Sequence, residues 1–241
     1  MILYVNGDSH AAAAEAVNPH AWAIDDGQFW DRGQEPHPDN DLVSFGYQLS
    51  KLLNADYLNQ SQAGGSNARI IRTTRHWLDQ QKDYSNLFVL LQWSTWERLE
   101  WHWDEQWWQV NASGEDHVPE ALKAQYRDFV INIDWPAAES AAHCTIYNFH
   151  QELCDKNIRH LMFNGNSYFQ NTQQKDWNNC YINPYIMTGT FDYILRNQGF
   201  KTVSPKSWHF GPDAHCFWSQ YLLNYINRHN LLGSLHEISA D

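Results

Sequence analysis

The 241 residues carry 28 acidic against 16 basic side chains, a formal net charge of −12, whereas a nucleic-acid binder needs a basic face to displace counterions from phosphates. No apolar run reaches the roughly 18–20 residues that a bilayer span requires, so neither nucleic acid nor membrane is an expected partner. The opening MILYVNGDSH has no basic leader or small-residue cleavage site, and Cys144, Cys154, Cys180 and Cys216 form no CxxC pair, so free thiols and a cytoplasmic location are expected.

Along the chain, Ile2 to Val5 reads as a buried strand that stops at Asn6-Gly7-Asp8, and the alanine-rich run Ala11 to Val17 as a helix. Leu42, Phe45, Leu49, Leu52 and Leu53 repeat at helical spacing, and Asp56 to Asn59 is a short strand. After Gly64-Gly65, Ser66 is an N-cap for a helix carrying Ile70, Ile71, Trp77 and Leu78. Leu87 to Leu91 is the clearest strand. A tryptophan-rich insertion follows at about 93–118, then helices from Glu120 to about Ile133 and from Ala137 to about Lys156. Ile158 to Phe163 and Phe200 to Val203 read as the fourth and fifth strands. A last helix opens at Pro212, with Asp213 in its first turn, and runs to about Arg228. No linker, repeat or low-complexity tract divides residues 1–241, which points to one domain. Strands separated by helix-length segments imply a parallel sheet covered on both faces, with ligands beyond the carboxyl ends of the strands.

The loop after the first strand reads Gly7-Asp8-Ser9-His10. A serine on a tight strand-to-helix turn exposes its hydroxyl and aims its own N–H at the group the hydroxyl attacks; the blander reading is an Asp/Ser helix cap. GDSH here resembles the first block of the SGNH (GDSL-like) hydrolases. That resemblance implies a three-layer α/β/α, flavodoxin-like fold with a central five-stranded parallel sheet. It also implies a nucleophile at Ser9 with Asp8 beside it, and no cofactor. Asn59-Gln60-Ser61-Gln62-Ala63-Gly64 resembles the second block and places an oxyanion glycine at Gly64. The third block should supply an asparagine after Leu91. The chain instead has Gln92-Trp93-Ser94-Thr95-Trp96-Glu97-Arg98, so Ser94 stands in as an oxyanion donor of shorter reach, with Gln92 or Arg98 as alternatives.

The general base has two candidates. Asp213-Ala214-His215 resembles an Asp…His pair, but both residues fall inside the last helix. His209, in Ser207-Trp208-His209-Phe210-Gly211-Pro212, lies in the loop before that helix, where the family keeps its histidine, and is the preferred choice. The family's aspartate would fall at Lys206. The group orienting His209 is therefore absent, a backbone carbonyl, Asp213 or Asp25. His10, His20, His37, His102, His117, His143, His150 and His160 form no HxxxH or HxH pattern with a third ligand near, so no metal is expected.

Thirteen tryptophans are unevenly placed, seven of them between Trp77 and Trp108. They read either as a hydrophobic lid or, because Glu97, Arg98, Glu100, Asp104 and Glu105 interleave them, as a stacking platform for sugar rings. If helical, the segment puts Trp93, Trp96 and Trp103 on one face. His10, Trp93, Arg98, Trp103 and Trp107 are the expected substrate contacts. The function implied is hydrolysis of an ester, with an O-acyl group on a carbohydrate as the candidate substrate. A binding or structural protein that kept the fold and lost efficient chemistry is the alternative. NGDSHAAAAEA and HFGPDAH resemble a phage-associated branch of the family, which would place the protein in a virion or an infected host.

Overall fold

A computed structural model describes residues 1–18, 36–112, 114–115 and 118–233. His20, Asp25 and His117 lie outside the described residues. The central sheet pairs β1 (Ile2–Asn6), β2 (Asp56–Asn59), β3 (Leu87–Trp93) and β6 (His160–Asn164) in the order β2-β1-β3-β6, all parallel. β4 (Leu99–Trp103) and β5 (Gln106–Val110) form a separate antiparallel hairpin.

The strands are apolar on both faces because both faces are covered. Leu3, Val5, Phe88, Leu90, Leu161 and Phe163 pack on one side against α2 (Phe45–Leu52), α6 (Phe191–Asn197) and α7 (Pro212–Arg228). Their neighbours Tyr4, Val89, Leu91 and Met162 pack on the other side against α3 (Asn67–Leu78) and α5 (Trp135–Asp155). Alternation with period two thus builds two cores and three layers. Two further short helices are α1 (Pro38–Asp41) and α4 (Lys123–Ile131). Ser44, Ser66, Asp134 and Thr190 cap α2, α3, α5 and α6 by accepting a backbone N–H through the side chain. Trp218 of α7 is fully buried between Phe163 and Phe191, and its truncation to alanine would cost about 3–5 kcal/mol. Among the described residues no helix is long and apolar enough to cross a membrane.

Three elements differ from expectation. The sheet has four strands, because Phe200–Val203 does not join it. Val203 is exposed, Pro205 follows with no N–H to donate, and Thr202 makes an antiparallel bridge with Phe210 instead. At the edge beyond β6 stands a single bridge, Met162 with Tyr181. The alanine run after β1 is a buried turn in place of a helix: Ala13 (φ 49°) and Glu15 (φ 62°) adopt the left-handed conformation. That conformation costs an alanine on the order of 1–2 kcal/mol, so the surroundings must hold it. The tryptophan segment is the β4–β5 hairpin in place of a helix, turning at Asp104 and Glu105, both at positive φ.

Candidate active site

The candidate site begins at the carboxyl end of β1. Gly7 follows Asn6, whose side-chain oxygen accepts the Gly7 N–H. A Cβ at Gly7 would lie 2.7 Å from Ala11 Cβ and 2.8 Å from Gln92 Oε1, so no larger residue fits. Gln92, fully buried at the end of β3, accepts the Asp8 N–H at 3.0 Å and locks the turn to the neighbouring strand. Ser9 is 6% exposed.

Asp8 is buried and fully engaged. Its Oδ1 accepts the His10 N–H at 2.9 Å, and its Oδ2 accepts the Ser94 hydroxyl at 2.8 Å and Arg98 at 3.1 Å. Burial opposes its charge, but the His10 and Arg98 charges and the two hydrogen bonds outweigh burial. The carboxyl therefore sits below the usual carboxylate range. Burial, only partly offset by Asp8, pushes His10 down to about 4, so Arg98 is the standing counter-charge at neutral pH. This pairing reassigns two expected residues. The Ser94 hydroxyl is spent on Asp8, while Ser94 N–H donates to Asn67 Oδ1 and Asn67 Nδ2 donates to Ser94 O. Ser94 is thus an anchor between β3, α3 and the Ser9 turn, with no proton left for an oxyanion. Arg98 braces Asp8 from the start of the hairpin.

His209 has an acid the sequence did not single out. Its Nδ1 donates to Glu15 Oε2 at 2.6 Å, and the Ser207 hydroxyl donates to the same oxygen while accepting the His209 N–H at 3.0 Å. The bond to His209, more than burial opposes it, holds the Glu15 carboxyl below its ordinary range. Because Nδ1 carries the proton, the lone pair lies on Nε2. The His209 ring meets His10 edge-on at 5.4 Å between centroids, and His10 in turn packs on Phe191. Val203 N–H donates to His209 O at 2.9 Å, so the non-strand conformation of 200–203 holds the histidine loop in place.

Asp213 is exposed in the first turn of α7 and makes no bond to His209, because Glu15 occupies Nδ1; Lys206 is likewise exposed. His215 is buried, stacked on Phe45, and accepts the Phe45 N–H at 3.2 Å through Nδ1. Burial drives it to about 3, so it is a neutral member of the core. The missed acid had no local signal. Glu15 precedes His209 by 194 positions, and only the two left-handed residues of the alanine turn bring it round.

Among the described residues no hydrogen bond uses the N–H of Ser9 or of Gly64, whereas Gly65 N–H is spent on Gln62 O. Gly64 has φ +74°, which favours glycine, and its loop docks on the Gly7-Asp8-Ser9 turn through Gln62 N–H to Gly7 O at 3.1 Å. His10 is 6% exposed and its Nδ1 has no hydrogen-bond partner among the described residues.

The tryptophans divide. Trp93 is fully buried in the core under α3 and α5, so it is no substrate contact, and Trp96 stacks on Phe169. Trp103 and Trp107 are each 44% exposed, but strand alternation puts them on opposite faces of the hairpin, so they form no shared platform. Trp107, His102, Glu100 and Gln109 face α3: Arg72 lies over the Trp107 ring at 4.4 Å and grips Glu100 in a two-point ion pair. Trp101 faces the other way, against Phe129. Both ends of the hairpin are fastened beside the site, Arg98 on Asp8 and Gln109 on the Ser66 N–H.

The model of a protein family described as a family of unknown function (DUF6071) matches residues 35–134, which include Gly64, Ser94 and the hairpin and leave Ser9, Glu15 and His209 outside. Among curated proteins none matches. Solved structures similar to this chain include a member of the lipolytic protein G-D-S-L family from Veillonella parvula DSM 2008, at 10% identity and TM-score 0.47, over 95% of this chain and 99% of that one. The psychrotrophic esterase EstA from Pseudoalteromonas sp. is similar at 9% identity and TM-score 0.44, over 94% and 97%. The acetyl xylan esterase AlAXEase is similar at 13% identity and TM-score 0.46, over 94% of this chain and 100% of that one.

Proposed function

We propose that the protein is a serine ester hydrolase of SGNH type that works through an acyl-enzyme on Ser9. The observation that carries this reading is the 2.6 Å bond from His209 Nδ1 to Glu15, on a histidine held beside the Gly7-Asp8-Ser9 turn. In this reading Ser9 Oγ attacks the acyl carbon and its proton passes to His209 Nε2, with Glu15 stabilising the imidazolium. The Ser9 and Gly64 N–H groups hold the developing oxyanion. His209 then returns the proton to the departing alkoxide, and water, activated the same way, releases the acid and regenerates Ser9. Asp8 takes no proton; it fixes the turn on which Ser9 sits.

The proposed substrate is an O-acylated carbohydrate. The exposed indole of Trp103, on a hairpin rooted at the site by Arg98 and Gln109, supports it, because an indole face stacks on the apolar face of a pyranose. A second reading, a binding or structural protein of the same fold such as a virion component, is favoured by one observation: Ser94 gives its hydroxyl to Asp8, which leaves two oxyanion donors where the family has three. A fluorophosphonate probe separates the two readings. An adduct on the peptide containing Ser9, lost in Ser9→Ala at unchanged melting temperature, is the result expected of the hydrolase. Absence of an adduct together with no turnover of p-nitrophenyl acyl esters would leave the second reading in its place.

A further inference from the structure

At the amino end of β6, the opposite end of the strand from the site, lies a cluster that the proposed chemistry does not use. His150 and Cys154 stand one helical turn apart on α5, and His160 is the first residue of β6. His150 Nδ1 is 2.9 Å from His160 Nε2, and Cys154 Sγ is 3.7 Å from His150 Nε2 and 3.8 Å from its Nδ1. One ligand atom from each residue falls within 4.8 Å of the others. On a tetrahedral zinc ion, bonds of about 2.0–2.1 Å to nitrogen and 2.3 Å to sulfur place two nitrogens about 3.3 Å apart and nitrogen and sulfur about 3.6 Å apart. The two imidazoles need only part by a few tenths of an ångström to admit it.

The surroundings are those of a ligand set. His160 Nδ1 donates to Ile158 O at 2.7 Å, which puts the lone pair on Nε2 and fixes the ring, the backing bond that metal-bound histidines make. His150 and His160 are buried, whereas Cys154 is partly open and gives an ion a way in. Cys180 sits on the adjacent edge, where its carbonyl accepts the Met162 N–H.

We propose that His150, Cys154 and His160 bind a zinc ion, with solvent in the fourth position, that staples α5 to the amino end of β6. Binding releases one proton from the Cys154 thiol and moves the His150 Nδ1 proton to Nε2, leaving Nδ1 as the ligand. The motif escapes a search for paired histidines because only one of its histidines lies on the helix and its helical partner is a cysteine.

The test is titration of the reduced, chelator-treated full chain with Co²⁺. Expected are one equivalent bound, the intense visible bands of tetrahedral cobalt, a near-ultraviolet thiolate-to-cobalt band, and displacement of all of these by Zn²⁺. Cys154→Ser and His160→Gln should each weaken binding about 100-fold or more. Circular dichroism, with fluorophosphonate labelling at Ser9 where the wild type labels, shows that each variant is folded. Weak octahedral bands, the absence of a thiolate band in the wild type, or a thiolate band that survives Cys154→Ser would each overturn the site.

Discussion

At the scale of single residues, the proposed mechanism turns on one acid and one base that are remote in sequence. Glu15→Gln keeps the shape but offers His209 Nδ1 an amide, which can present N–H and so favour the wrong tautomer. Ester turnover should fall about 10³-fold or more with little change in KM, read from pH-matched steady-state kinetics. An Asp213→Asn variant, altering an exposed helix-start residue, should keep its rate; a large loss there with none in Glu15→Gln would transfer the orienting role. Ser94→Ala should act differently again. It removes a hydroxyl bonded to a buried carboxylate, so the expected effect is about 1–3 kcal/mol of stability and a lower melting temperature, with turnover per folded molecule changed less than tenfold. A loss of 10² or more in kcat at constant melting temperature would make Ser94 an oxyanion donor after all. Ser9, His209 and Gly64 could be singled out from the chain because each lies in a short local motif. Glu15 was not, since its position depends on two left-handed residues in a run whose composition favours helix.

At the scale of elements, the four sheet strands and α7 could be read directly: continuous apolar runs mark β1, β3 and β6, and Pro212 marks the start of the helix. The hairpin could not. Trp101, Trp103, Trp107 and Trp108 fit helical spacing almost as well as alternation, and the deciding feature is the positive-φ pair Asp104-Glu105, which closes a tight turn between two strands. The hairpin also splits a prediction that sequence alone would merge. Trp103→Ala should raise KM for an acetylated oligosaccharide several-fold and spare a small aryl acetate. Trp107→Ala removes the ring under Arg72 and should lower stability by about 0.5–2 kcal/mol, affecting both substrates alike. Equal KM effects from both variants would contradict the two-faced arrangement.

At the scale of the whole molecule, buried histidines set the response to acid. Burial pushes His10 and His160 from 6.5 to about 4 and His215 to about 3. The unfolded chain takes up these protons near 6.5, and the folded chain refuses them until far lower. Each histidine therefore contributes stability above pH 6.5 that drains away as pH falls towards 4. The melting temperature should begin to drop just below pH 6.5, before carboxylates titrate, and His215→Gln should flatten that slope. A melting temperature level down to pH 5 would show that these rings gain protons without unfolding.

The bond from His209 to Glu15 also sets how the site can fail. In the proposed mechanism nucleophile and acid ride together on one short turn after β1, while the base alone arrives on the 200–211 loop, tied down by Val203 and Ser207. An excursion of that loop takes the base from both partners in a single event, with no half-assembled form in which the acid still orients it. Turnover then reports one docking equilibrium, and agents that shift it scale the rate without altering the chemistry of any bound substrate.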